Sequence, residues 1–574
     1  MDSFISSQFM PPKIPFMAKR QIQQQLRASA LSLGCLLATA SASSFANTAS
    51  TSNLTGFQAE RLAQTADERP PEISIETKRE ILRQASAIAS NMNPSQAQRT
   101  AWIEIAIAYG DIGEVESARQ LLQKVPRGLE PADHSFFIHH YVDRISELAP
   151  AYAAIGDVET ATALIADAIA IISDSQAIRT TLGRSVHDSF IDALRGEATG
   201  ELAKAYGSMK QASVAQAGLS TLTDLAKDNI RNEYQRSSAL SKIVSAYGQL
   251  NEPAIASEGI DQISELAKKT DATWLQSNIA KAYFQIGNQG AAYPWLKAVT
   301  LSDSSVYLED AVKLYGQMNN KQLAEQQLLA LLPKAEKIER PSDKVRGLSE
   351  VAIAFHTLGN RDKAQQVVNL ISLTASTELN PAEFILTLPH LANLYQQLEL
   401  PLKQQETIDR LYTEFVETEH PTQKVFLFML LCRLYPQVDN EAAPKYQNAL
   451  LDYARRALTS ADQAEFLGLV AAAVSQRGET EVALQITDEI SQIIMTYPAE
   501  GNGGLGSGWG FPMMAKVYTD IEDTQLAQQK LQQLTALAQE TFGKPNGDIQ
   551  DFIISAYLKL ISEDDKTELH PGLF

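Results

Sequence analysis

Apolar residues recur at helical spacing along most of this chain. Ala161, Leu164, Ile165, Ala168 and Ile171 lie three or four apart, which puts them on one face of a helix. A short phrase then returns again and again. Ile105-Ala106-Ile107-Ala108-Tyr109-Gly110-Asp111-Ile112-Gly113 is followed by Leu148-Ala149-Pro150-Ala151-Tyr152-Ala153-Ala154-Ile155-Gly156. Later copies centre on Tyr206, Tyr247, Tyr283, Tyr315, Phe355, Tyr395, Tyr435, Val474, Tyr518 and Tyr557. The first and last of these twelve anchors are 448 residues apart over eleven intervals, a mean period of about 41. A period of this kind marks stacked supersecondary units.

The offsets around each anchor predict the unit. Three residues before it stands a small residue: Ala106, Ala149, Ala203, Ala280, Ala352, Ala392, Ala471 or Ala515. Nine residues after it stands Ala118, Ala161, Ala215, Ala256, Ala292, Ala324, Ala364, Ala483 or Ala527. Small residues let two antiparallel helices approach, and the ring fills the gap between them. Four residues after the anchor come Gly113, Gly156, Asn251, Gly287, Asn319, Gly359 and Gly478, read as left-handed residues that end the first helix. Asp157 and Asn360 then stand where the next helix starts.

This set of offsets resembles the tetratricopeptide repeat, with a longer period than that family's usual unit. The resemblance implies an all-α, right-handed solenoid of about twelve antiparallel helix pairs, spanning 73–565. The copy at Tyr557 lacks most of the marks and reads as a cap, followed by a tail at 566–574.

The amino terminus reads differently. Lys19, Arg20 and Arg27 precede a small, apolar stretch, and Ser44-Phe45-Ala46 presents small residues at cleavage positions. Residues 1–46 are therefore expected to be a signal peptide, with the true start at Met1 or Met17, and 47–72 a flexible linker. An organelle transit peptide and lipid attachment at Cys35 are the rival readings. The expected location is periplasmic or otherwise extracytoplasmic.

Composition narrows the function. Acidic residues outnumber basic ones 68 to 49, a formal charge of -19, which disfavours nucleic acid as a partner. Two cysteines exclude a disulfide scaffold. No later segment is apolar enough to predict a transmembrane helix. The Gly-rich insertion at 498–512 contains a G-x-G-x-x-G match at Gly501, Gly503 and Gly506, but a helix precedes it where a dinucleotide site needs a strand. It reads as an inter-helix loop, or as one whose Trp509 and Phe511 touch a partner. His139 and Asp143 share a helix face, yet no further ligand stands at a binding spacing, so no metal site is expected. No catalytic motif and no cofactor site is found.

One column carries functional promise. In the family that the repeats resemble, the residue two before the anchor faces the concave groove. That column here includes Lys204, Lys281, Lys313, Asn393, Arg433 and Lys516. The expectation is a non-catalytic protein-binding scaffold whose basic inner stripe holds an acidic segment or a free carboxylate of a protein partner. A stripe that merely solvates a helix edge is the plain alternative. An envelope polysaccharide-binding module and an unrecognised enzyme are the other functional readings.

Overall fold

A computed structural model describes residues 73–562, apart from 94, 129–136, 183–185, 210, 271, 302–304, 458, 497–509 and 543–546. The proposed signal peptide, linker and tail, Trp509 and most of the Gly-rich insertion lie outside the described residues.

Among the described residues the chain is all-helical. In chain order the helices are α1 (Ile75–Asn91), α2 (Gln96–Asp111), α3 (Val115–Leu122), α4 (Phe137–Ala154), α5 (Val158–Ser173), α6 (Ser175–Leu182), α7 (Asp188–Ser208) and α8 (Ala212–Asn229). There follow α9 (Glu233–Gly248), α10 (Pro253–Ala267), α11 (Thr273–Gln285), α12 (Gln289–Leu301), α13 (Ser305–Gly316), α14 (Lys321–Glu336), α15 (Pro341–Thr357), α16 (Arg361–Thr377) and α17 (Pro381–Gln397). The last are α18 (Pro401–Glu417), α19 (Pro421–Leu434), α20 (Ala443–Arg455), α21 (Ser460–Gln476), α22 (Thr480–Thr496), α23 (Gly510–Thr519), α24 (Thr524–Phe542) and α25 (Gly547–Ile561).

The helix starts follow local chemistry. Side chains of Ser74, Ser95, Asp157, Asn232, Asn320, Asn360 and Thr459 each accept a first-turn N–H. Asn380 and Glu383 cap α17 reciprocally. Proline opens α10, α15, α17, α18 and α19, where the missing N–H costs nothing.

The ends of the anchor helices share one geometry. Gly113, Gly156, Gly287, Gly359 and Gly478 have φ of 81, 84, 78, 87 and 85°. The following N–H then reaches back to the anchor carbonyl, as from Glu114 to Tyr109 at 2.8 Å and from Asn360 to Phe355 at 2.8 Å. Two expected left-handed residues are corrected: Asn251 and Asn319 are not left-handed. Their helices end earlier, at Gly248 and Gly316, so the chain turns without needing positive φ. Glu399, four after Tyr395, takes φ 57° where no glycine was present to flag it.

The anchors are core residues throughout. Every one of the twelve is buried, from Tyr315 and Phe355 at 0% exposure to Tyr109 and Tyr395 at 6%. The small residues three before and nine after are buried with them. Burial pushes the phenols of Tyr247, Tyr283, Tyr315, Tyr435, Tyr518 and Tyr557 up to about 12.

Each anchor helix packs on the next anchor helix and, α19 apart, on a partner helix; the anchor Tyr435 itself lies in the 3-10 turn Tyr435–Gln437 between α19 and α20, which touches both. The contacts run α2, α4, α7, α9, α11, α13, α15, α17, α19, α21, α23, α25. The extra helix α6 accounts for the wide spacing between Tyr152 and Tyr206. Partner helices touch one another less regularly, as α5 on α8, α8 on α10 and α22 on α24. The anchor helices thus form one continuous layer of neighbours, with small residues at the contacts letting them approach closely.

The order of contacts then returns to its start. Helix α25 packs on both α1 and α2, and Gln528 of α24 donates to Gln84 of α1 at 3.3 Å. The Tyr557 copy is therefore not a cap. Its partner helix is α1, supplied by the other end of the described chain. Ile81, Leu82, Ala85, Ile88 and Ala89 form the buried face of α1, and they merge into one core cluster with Ile549, Ile553, Ile554 and Tyr557.

Candidate inner-wall binding surface

Four of the predicted basic residues stand in ion pairs on the anchor helices. Lys281 of α11 meets Asp310 of α13 at 2.8 Å, and Lys313 of α13 meets Glu350 of α15 at 3.5 Å. Lys204 instead pairs with Glu201 of its own helix at 2.9 Å, while Lys242 of α9 reaches the same carboxylate at 3.3 Å. Lys516 pairs with Asp520 at 3.4 Å, a carboxylate also 3.9 Å from Lys559. Asn393 is half-buried and Arg433 is exposed.

The counter-ions define a column that the sequence reading passed over. Five residues before each anchor stand Glu104, Glu147, Glu201, Lys242, Asn278, Asp310, Glu350 and His390 in eight successive copies. The next four copies have Leu430, Leu469, Met513 and Phe552 there. An unbroken polar run on a helix otherwise rich in buried apolar residues was the available signal. At two junctions the columns mesh: Lys281 and Lys313, each two before an anchor, meet Asp310 and Glu350, each five before the next.

The polar wall has two unlike sectors. In the sector of α13, α15, α17 and α19, Arg346 lies 2.5 Å from Glu309 and 3.6 Å from Asp343. Burial raises the carboxyls of Glu309 and Glu350 despite these cations. His390 is exposed to water, yet surrounding protein, with Arg346, Arg433 and Lys313 nearby, pushes its imidazole down to about 4.

In the sector of α25, α2, α4 and α7, carboxylates dominate. Burial, then Asp551, then Glu147 raise Glu104 to about 7. Glu147 is also raised, first by burial, although Thr100 donates to it at 3.2 Å. Asp143 is raised by burial, with His139 opposing. His139 lies 3.6 Å from Asp143 and 3.6 Å from Glu197. Among the described residues, no group of three or more His, Cys, Asp or Glu side chains is placed to hold a metal ion.

One predicted contact residue is corrected. Phe511 belongs to α23 and is 0% exposed, so it is part of the core and not a loop residue offered to a partner. The helix begins two residues before Pro512, inside what read as low-complexity loop.

Among the described residues no helix is long and apolar enough to cross a membrane. No protein-family model matches the chain, and a comparison with curated proteins returns no match.

Proposed function

We propose that this protein is a non-catalytic scaffold that holds a segment of a partner protein against its inner wall. In this reading the tandem pairs wind as a right-handed tetratricopeptide-type solenoid closed upon itself. About a dozen axes spaced ~9 Å apart would enclose a space on the order of 20 Å across, wide enough for an extended or helical segment. Residues 1–46 would direct the chain out of the cytoplasm, and the partner would be met in the cell envelope.

The observation that supports the reading is that Lys313 and Arg346, paired across α13 and α15 with Glu350 and Glu309, act together with Arg433 on the His390 imidazole. An acidic segment or terminal carboxylate of a partner would exchange with Glu309 or Glu350 for these cations. Each exchange is worth little alone, because a protein carboxylate is displaced for a ligand one. Many such contacts along a preformed wall give binding without ordering cost in the scaffold.

Fluorescence anisotropy with labelled acidic peptides, ending in a free or an amidated carboxyl, tests this. The peptide with the free carboxyl is expected to bind more tightly, and less so at high salt. Exchanging Lys313→Glu with Glu350→Lys keeps the pair but moves the positive charge, and is expected to weaken binding about tenfold. Equal binding by the exchanged variant, with unchanged helical circular dichroism, would refute the cationic sector as the docking place.

A further inference from the structure

Two apolar side chains stand exposed beside the polar groups of α17 and α19. Leu386 of α17 is 49% exposed and Met429 of α19 is 46% exposed. Leu386 is four residues before His390, and Met429 four before Arg433, so each shares a helix face with that residue. Helices α17 and α19 pack on one another, and the Arg433 charge reaches the His390 imidazole across that junction. Phe426, three before Met429, is half-buried. A single exposed leucine is ordinary, but apolar and polar side chains set one turn apart on two neighbouring helices form a two-part surface.

Packing does not account for Met429. Six residues before the anchor, Ser146, Gly200, Ser241, Ser277, Ser349 and Gly468 stand in other copies. Ser241, Ser277 and Ser349 are buried there, and Ser277 donates to Asp310 of the next anchor helix at 3.2 Å. Small residues at this position let neighbouring anchor helices approach. Met429 instead places a long, flexible side chain there and leaves nearly half of it in water. Such a side chain adapts to irregular apolar partners, which suits a contact surface. The core beneath is supplied by others: Leu427, Phe428 and Leu431 of α19, and Ile385, Leu388 and Leu391 of α17, are buried.

We propose that Leu386 and Met429 set the specificity of this site, so that it selects an amphipathic segment. The carboxylate of that segment meets Arg433, while an apolar side chain one helical turn away covers Met429 and Leu386. This rests on the docking place proposed above and adds which acidic segments it takes. A purely acidic segment leaves both apolar side chains in water. A purely apolar one brings no counter-charge to a sector that holds Lys313, Arg346 and Arg433. In a helical segment, residues four apart lie on one face about 6 Å apart, the same step that separates Met429 from Arg433. Helical partners read by apolar anchors at this spacing are a general mode of recognition.

Two labelled helical peptides test this by fluorescence anisotropy on the full chain. One carries a central Glu with Leu four residues before and after it, and the other has Ser in place of both Leu. The Leu peptide is expected to bind about tenfold more tightly. That ratio is expected to hold from low to high salt, while both affinities fall. The double variant Leu386→Ser, Met429→Ser is expected to lower the Leu peptide to the affinity of the Ser peptide and to leave the Ser peptide as it was. Equal binding of the two peptides by the parent overturns the inference and leaves the cationic docking place standing. A preference for Leu that persists in the double variant does the same. Binding of neither peptide overturns both. The peptide comparison is made on the parent protein, so it decides even where the double variant is less stable.

Discussion

Two helix pairs, α15 with α16 and α25 with α1, use the same packing and differ in how the chain supplies it. In the first, a tight turn with Gly359 at φ 87° carries the backbone straight from one helix to its partner. Val367, Val368, Ile371, Thr374 and Ala375 then face the core. In the second, the partner arrives from the far end of the described chain. Its buried residues Ile81, Leu82, Ala85, Ile88 and Ala89 have the same spacing of one, three, three and one. The core does not distinguish the two. What differs is the entropy of bringing the helices together, which a short turn keeps low and a separation of hundreds of residues does not.

The comparison can be broken most severely at the anchors. Phe355→Ala and Tyr557→Ala each remove a buried ring, at 0% and 1% exposure, and each is expected to cost ~3–5 kcal/mol in denaturant unfolding. Similar losses mean that the seam is a full packing unit. A cost below about 1 kcal/mol for Tyr557→Ala alone would make it a loose end.

The next largest effect tests the ring-in-gap packing itself. A Cβ on Gly259 would sit 2.2 Å from the Tyr247 ring, and one on Gly218 would sit 2.1 Å from Tyr206. Gly259→Ala is expected to destabilise by ~1–3 kcal/mol despite its better helix propensity, a sign that thermal melting can read directly.

The seam is also expected to respond to pH more steeply than the α15–α16 pair, where Lys313 and Arg346 oppose the rise of the Glu350 carboxyl. Glu104→Gln should gain ~1–2 kcal/mol of stability at pH 8 over the parent and nothing at pH 4, where both forms are neutral. Denaturant titrations at the two values measure it. The smallest effect belongs to the turn: Gly359→Ala should cost ~1 kcal/mol, because positive φ strains any side chain there. Its counterpart has no meaning at the seam, which lacks a turn.

Much of this architecture could be read from residues alone. The anchors, the small residues three before and nine after, and five of the left-handed glycines are local rules, and local rules survive in sequence. The partner of Tyr557 was hidden because those offsets count forward along the chain, and α1 has no anchor before it. Its apolar spacing was visible, but nothing in that spacing says which helix it will cover. The basic column was legible as well, while its neutralising carboxylates were missed. For Lys281 and Lys313 these stand on the neighbouring helix, five before its anchor, so those pairings exist only once adjacent helices are laid side by side. Phe511 was misplaced by the glycines before it, which masked the start of a buried helix.

Closure of the helical array is the claim on which the rest stands. Gln84→Cys and Gln528→Cys, treated with a short bis-maleimide at low protein concentration and digested for mass spectrometry, test it most directly. The closed array predicts a peptide pair joining residues 84 and 528 within the monomer. Failure to link them, or linkage only between two chains, would contradict it.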